Sequence, residues 1–126
     1  MTDKKSSTTY IYENNSSNKL TKYRVDGCLI DDHNSKCDFL LLNCDKKESY
    51  FVELKGSDLI KAVEQIDRSI DLLHSKFKDF SVNGRIVLTR VNTTDLKNSK
   101  LIRLEQKIKR LNGNLKKQNR QMTEVN

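Results

Sequence analysis

Short apolar runs separated by polar clusters fill the first half of the chain. The runs are "TYIYE" (9–13), "KLTKYRVDGCLI" (19–30), "CDFLLLN" (37–43) and "YFVELK" (50–55). Each run has the length of a β-strand, and the intervening "NNSSN" (14–18), "DDHNSK" (31–36) and "CDKKES" (44–49) favour turns. Residues 9–55 therefore predict a meander of short antiparallel strands, preceded by a disordered arm over residues 1–8.

The spacing of apolar residues changes after Gly56 to that of a helix. From residue 57 to 77 they recur at steps of three and four, at Leu59, Val63, Ile66, Ile70, Leu73 and Phe77. One apolar stripe of this kind predicts an amphipathic helix packed on a sheet. Ser57 is the predicted cap, and Asp58 suits the first turn.

A strand and a second helix are predicted after this helix. "SVNG" (81–84) favours a turn, and "RIVLTRV" (85–91) is a strand that pairs in parallel because it follows a helix. The second helix runs from about 96–100 to Leu111 and ends at Asn112-Gly113, and its apolar stripe consists of Leu101, Leu104, Ile108 and Leu111. "NLKKQNRQMTEV" (114–125) is either a last polar strand or a loose tail.

Together these elements predict one α/β (α+β) domain over residues 1–126. Its mixed central sheet comes from the antiparallel meander, followed by a helix, a parallel strand and a second helix. The chain is long enough for one hydrophobic core and too short for two.

The positive charge of the chain is concentrated near its end. Residues 97–126 hold nine Lys or Arg against two acids, and so carry the whole net charge of +7. A concentrated basic segment indicates a polyanionic partner, of which nucleic acid is the commonest. The alternative is a solvated helix face kept soluble by lysines. The candidate nucleic-acid-binding residues are Lys97, Lys100, Arg103, Lys107, Arg110, Lys116 and Lys117.

The cysteines and the absence of long apolar runs bear on the compartment. "MTDKKSSTTY" has no apolar stretch typical of a signal peptide, and "FLLL" (39–42) is far too short to span a membrane. We therefore expect a cytoplasmic protein with free thiols and no membrane partner. Cys28, His33, Cys37 and Cys44 lack the paired spacing of a zinc site, and Cys28 and Cys37, which lie in strand patterns, are interpreted as small core residues.

Three charged residues flank the most apolar strands. Glu53 and Lys55 share a strand face because residues i and i+2 point the same way, and Asp38 begins the neighbouring strand. The 14 residues between Asp38 and Glu53 suit two strands and a turn, although we expect the two carboxylates to meet only if the strands diverge or are staggered.

Carboxylate oxygens suit Mg²⁺, and a lysine beside them can orient a water or stabilise developing negative charge, as in metal-assisted phosphodiester hydrolysis. The alternatives are a solvent-facing charge pair on a strand for Glu53 and Lys55, and a turn cap for Asp38.

An Asp, a gap across a β-turn and then Glu-x-Lys resembles the PD-(D/E)XK nucleases of the restriction-endonuclease-like superfamily, including the small archaeal Holliday-junction resolvases. Here the pattern reads Cys37-Asp38 and Glu53-Leu54-Lys55, followed by Gly56 and a helix carrying Gln65. The resemblance covers roughly residues 20–91. It implies a restriction-endonuclease-like core and a metal-dependent DNA endonuclease.

The resemblance also implies roles for individual residues. Asp38, Glu53 and the main-chain carbonyl of Leu54 would bind Mg²⁺ or Mn²⁺, Lys55 would be the catalytic lysine, and Gln65 would support the site or touch the nucleic-acid backbone. Cys37 stands where the family has proline. The family's further glutamate lies on a helix before the meander, and no such helix is predicted here, so Glu13 or Asp26 would supply that carboxylate.

The expected partner is DNA, and cutting a duplex with one small site per chain implies a homodimer. The alternative is a catalytically inactive module of the same fold that binds nucleic acid or a protein.

Overall fold

A five-stranded mixed sheet forms the centre of the molecule. The computed structural model describes residues 1–3, 7–25, 37–90 and 93–126. The strands of the central sheet lie in the order β3-β4-β5-β6-β7. Their bounds are β3 Leu20–Arg24, β4 Phe39–Asn43, β5 Glu48–Lys55, β6 Ser81–Leu88 and β7 Leu115–Asn119. β3, β4 and β5 are antiparallel, whereas β5, β6 and β7 are parallel, so the predicted mixed sheet is confirmed.

Two helices cover one face of this sheet. α1 (Leu59–Leu73) follows β5, and α2 (Ser99–Arg110) lies between β6 and β7. Both were predicted from their apolar stripes, and their buried residues pack against the inward side chains of β4, β5 and β6. The predicted cap Ser57 is wrong: α1 begins one residue later, and the Asp58 carboxylate accepts a hydrogen bond from the Lys61 N–H at 3.0 Å. The last predicted turn of this helix, residues 74–77, is 3₁₀.

A small second sheet covers the other face. It consists of β1 (Thr2–Asp3), β2 (Thr8–Glu13) and β8 (Gln121–Val125), in the order β1-β2-β8. Tyr10 and Met122 point from it onto Leu54 and Val87 of the central sheet. The disordered arm predicted for residues 1–8 is wrong where the chain is described, since Thr2 and Asp3 pair with β2 and Thr8 is fully buried.

The first predicted strand therefore does not begin the meander. β2 pairs in parallel with β8, and the antiparallel meander starts at β3. The segment 114–125, predicted as either a strand or a loose tail, forms both β7 and β8. Apolar residues of β2 and of β8 pack on the same face of the central sheet, which explains why these two strands lie side by side there. Among the described residues, no helix has both the length and the apolar composition needed to cross a membrane.

The predicted turn at 81–84 is also wrong, because these residues begin β6. Val82 is buried in the helix-side core, and the Asn83 side-chain amide donates to the Ser49 carbonyl at 3.1 Å. A Cβ on Gly84 would lie 2.6 Å from the Leu115 side chain, so this glycine allows β7 and its leucine to pack closely. Tertiary contacts here override a composition typical of turns.

A buried charge network joins the two sheets. The Arg85 guanidinium is 3% exposed and donates from Nε to the Glu124 carboxylate and from Nη1 to the main-chain carbonyls of Gly84 and Asn114, at 2.8 and 2.9 Å. The Tyr10 hydroxyl donates to the same Glu124 oxygen at 2.6 Å. Arg85 also lies over the Tyr50 ring, 5.1 Å from its centroid. The strand β8 is thus attached to the core by charge as well as by apolar contact.

Acid should weaken this attachment. Burial alone would raise the pKa of Glu124, but the hydrogen bonds from Arg85 and Tyr10 outweigh it and hold that pKa below its usual 4.5. A carboxyl with a lowered folded-state pKa contributes stability that is complete above the unfolded-state pKa and is lost as the pH falls through the folded-state value. We expect Glu124→Gln to flatten the pH dependence of the unfolding free energy below about pH 4.5.

The measurement is urea denaturation at a series of pH values from 3 to 7, on the order of half a unit apart. Glu105→Gln, an exposed glutamate on α2, is the matched control and should follow the wild type. Equal slopes for Glu124→Gln and wild type would contradict the assignment of acid sensitivity to this network.

Candidate metal and nucleic-acid site

The β4–β5 hairpin brings the Asp38 side chain against the main chain of Leu54, the residue between Glu53 and Lys55. Phe39 pairs with Val52, and the N–H of Asp38, which lies at a bend just before β4, also donates to the Val52 carbonyl at 3.1 Å. The Asp38 carboxylate then accepts a hydrogen bond from the Leu54 N–H at 3.0 Å. Asp38 and Phe39 thus both lie opposite Val52, so the chain departs from regular antiparallel register here, in line with the divergence or stagger expected from the sequence.

Glu53 and Lys55 meet on one face of β5, as strand alternation predicted. The Glu53 side chain is 2% exposed and the Lys55 side chain 24% exposed, with Lys55 Nζ 3.8 Å from Glu53 Oε2. In the neighbouring strand, Glu53 pairs with Ile86 and Lys55 with Leu88. The carboxylate is therefore set into the helix-side layer, with the ammonium between it and solvent at the strand end.

The Cys37 thiol reports on the charge at this point of the fold. Burial raises its pKa, and the negative charges of Glu53 and Asp38 raise it further, while the hydrogen bond with Ser69 acts in the opposite direction. Both carboxylates thus lie close enough to act on one sulfur atom. Their joint negative potential is what a divalent cation would neutralise.

Helix α1 is attached to the start of β4 through Ser69. The Cys37 N–H donates to Ser69 Oγ at 2.8 Å, and that hydroxyl donates to the Gln65 carbonyl at 2.8 Å. The half-buried Gln65 therefore lies on the helix segment that contacts the residue before Asp38. Sequence reasoning missed Ser69; its signal was a small polar residue beside Ile66 and Ile70 on the apolar stripe.

The main-chain carbonyl of Leu54 points to the β4 side of the sheet. The N–H and C=O of one strand residue point the same way, and the Leu54 N–H is directed at Asp38. Asp38, Glu53 and this carbonyl are three hard oxygen donors at one strand end, a set that suits Mg²⁺ or Mn²⁺. In donor type, though not by a measured coordination geometry, these three groups match the metal that the family resemblance implies.

The further carboxylate is not supplied by Glu13. Glu13 is exposed on the second sheet, where it pairs with Val125. Its neighbour Tyr12 accepts a hydrogen bond from the Asn43 side chain at 3.0 Å, at the turn end of the hairpin and away from Glu53. Asp26, Cys28 and His33 lie outside the described residues. Within the described ranges, no three His, Cys, Asp or Glu side chains are grouped as metal ligands, and Cys37 and Cys44 are free thiols, as predicted.

Several candidate phosphate-binding lysines form ion pairs within the chain. Lys100 Nζ lies 2.5 Å from Glu64, Lys116 Nζ lies 3.2 Å from Glu124, and Lys107 contacts both Asp67 and Asp71. Burial acts to lower the pKa of Lys107, but its two carboxylate partners outweigh burial and raise it. The α2 lysines thus join α2 to α1, which sequence spacing alone did not show.

The other candidates are directed differently. Lys97, Arg103 and Arg110 are exposed, and Lys117 is half-buried on β7 in the same row of the sheet as Ile86 and Glu53. Comparison with protein-family models, with curated proteins and with solved structures finds no match for this chain.

Proposed function

We propose that this chain is a metal-dependent endonuclease that hydrolyses phosphodiester bonds in DNA, built on a restriction-endonuclease-like core. The observation that carries the proposal is that the Asp38 carboxylate accepts from the Leu54 N–H while the neighbouring Glu53 carboxylate lies 3.8 Å from the Lys55 ammonium, at the ends of β4 and β5. The order of meander, helix, parallel strand and helix supports the proposed core.

Each group of the proposed site would have a separate role that follows from its chemistry. Asp38, Glu53 and the Leu54 carbonyl would hold Mg²⁺ or Mn²⁺, which supplies Lewis acidity toward the phosphate and a more acidic bound water. Lys55, held against Glu53, presents positive charge where negative charge develops on the phosphate oxygens. The exposed Lys97, Arg103 and Arg110 would hold the flanking backbone, so DNA binding should weaken steeply with salt.

A second candidate function is a nuclease-fold module that binds nucleic acid or a protein without cleaving it. The Lys55–Glu53 ion pair favours this candidate, because the ammonium by itself offsets the charge of a carboxylate that is 2% exposed. The two candidates predict different responses to divalent cations.

Cleavage of supercoiled, linear and branched DNA in Mn²⁺ tests the proposal. We expect Lys55→Ala to lose about 100-fold or more in rate, because it removes charge stabilisation in the transition state. Lys46→Ala is the matched control: Lys46 is exposed in the β4–β5 turn, at the opposite end of the hairpin, and its loss should leave the rate unchanged.

Thermal melting with and without Mn²⁺ separates metal binding from catalysis. The wild type should be stabilised by the ion, since a ligand that binds only the folded state raises its stability, and Asp38→Asn should abolish that shift. Equal cleavage by wild type and Lys55→Ala would rule out the proposed site. No cleavage by either protein, together with no Mn²⁺ shift, would favour the binding module.

A further inference from the structure

The strand β7 ends the central sheet with an open edge. It pairs with β6 on one side, and in the described part of the chain no strand pairs with its other side. The Asn114 carbonyl and the Arg120 N–H bond to β6, so the even-numbered residues face that strand. The N–H and C=O groups of Leu115, Lys117 and Asn119 therefore point outward, ready to pair with an extended segment.

An apolar depression lies beside this edge on the helix side. Its volume is about 450 Å³, and Ile102 of α2 and Leu115 of β7 contribute its apolar surface, with Gln106 and Lys109 among its polar residues. Ile102 is 44% exposed although it lies on a helix whose other large apolar residues are buried. The depression adjoins the strand edge at the residue where β7 begins.

The alternation of side chains along β7 determines which side chains of an added strand would face the depression. Leu115 pairs with Gly84, and Lys117 pairs with Ile86, whose side chain lies in the core on the helix-covered face. Paired residues share a face, so the Leu115 and Lys117 side chains also point to the helix-covered face. An added residue opposite Leu115 would insert into the depression. The residue two positions along would lie opposite Lys117 on the same face, where a carboxylate would be favoured.

The charge of the edge selects among occupants. Lys117 lies on the strand and Arg120 follows it; Lys109 lines the depression together with Glu105, and Lys116 is paired with Glu124. A second copy adding its own β7 in antiparallel register about the central residue would place Lys117 opposite Lys117, which is destabilising. Lysines on an edge strand discourage pairing with basic or apolar strands and favour an acidic one.

We infer that β7 is a docking edge for an extended segment of a partner protein that carries one large apolar residue and one acidic residue two positions apart. The segment adds a sixth strand to the central sheet, its apolar side chain fills the depression at Ile102 and Leu115, and its carboxylate pairs with Lys117. This inference does not rest on the proposed nuclease activity.

Titration of the isotope-labelled protein with acetylated threonine heptapeptides tests it. Each peptide carries one leucine and one glutamate two positions apart, in either order to allow both strand directions. We expect amide shifts and slowed hydrogen exchange at Leu115, Lys117 and Asn119. Replacing the glutamate by lysine should weaken binding about tenfold, because an attractive cross-strand pair becomes a repulsive one.

Substitutions at the proposed docking edge test whether the peptides bind there. Lys117→Glu should reverse the preference between the glutamate and lysine peptides, and Ile102→Ala should weaken binding of both. Lys22→Glu, on the opposite edge strand β3, and Leu72→Ala, an exposed leucine of α1, are the matched controls and should change neither preference nor affinity.

Any of three results would overturn the inference. The first is the absence of changes at the β7 amides, and the second is equal affinity for the glutamate and lysine peptides. The third is tighter binding of a short DNA duplex to these amides than of any peptide, which would assign the edge to nucleic acid.

Discussion

Arg85→Ala is expected to lower the free energy of unfolding by about 3–5 kcal/mol, the range for removing one partner of a buried ion pair. The guanidinium is 3% exposed and bonds to Glu124 and to the carbonyls of Gly84 and Asn114. Its removal takes one hydrogen-bond donor from each of three groups: the Glu124 carboxylate and the main-chain carbonyls of Gly84 and Asn114. Urea denaturation followed by circular dichroism measures the change.

The control for this prediction is Arg90→Ala. Arg90 is exposed just after β6, and its removal should change stability by less than about 0.5 kcal/mol. The double variant Arg85→Met with Glu124→Leu should recover much of the loss, since apolar residues can replace a buried pair. A loss below about 1 kcal/mol for Arg85→Ala would show that the network contributes little.

Gly113→Ala is expected to cost about 3 kcal/mol or more, at the upper end of overpacking effects. Gly113 follows α2, and a Cβ there would lie 1.7 Å from the Val82 main-chain oxygen. The obstacle is backbone held by β6, since the Val82 N–H donates to the Leu111 carbonyl at 3.1 Å. The end of α2 and the start of β6 would have to separate.

Gly56→Ala is the matched control, because a Cβ at Gly56 meets nothing within 4 Å. It should leave the free energy of unfolding unchanged or raise it by up to about 1 kcal/mol, because alanine lowers the conformational entropy of the unfolded chain. Both variants are compared in the same denaturation assay. Equal stabilities for the two would contradict the close approach of Gly113 to Val82.

The sequence predicted best the parts that depend on local contacts. The β4–β5 hairpin joins two neighbouring apolar runs, and strand alternation was enough to predict that Glu53 and Lys55 share a face, whereas the approach of Asp38 was predicted only on the condition that the strands diverge or are staggered. The stripes of α1 and α2 have helical periodicity, and both helices are present. In each case the partners are close in sequence, or the pattern repeats within one element.

Contacts between distant segments could not be predicted in this way. Tyr10 and Glu124 are separated by 114 positions and Arg85 and Glu124 by 39, and none of the three stands out in a composition rich in charge. "SVNG" has turn composition, yet its place between β5 and β7 makes it a strand. The ion pairs of Lys100 and Lys107 likewise depend on how α2 lies against α1.

The parallel pairing of β2 with β8 has a consequence for the order of folding. The central sheet and both helices involve residues 20–119, whereas β2 must wait for residues 121–125 before it can pair with β8. Tyr10 of β2 can pack on Leu54 and Val87 of the central sheet, but β2 cannot pair with β8 until residues 121–125 have been synthesised. Closure of the second sheet is therefore the step of longest sequence separation, and we expect it to be late and slow.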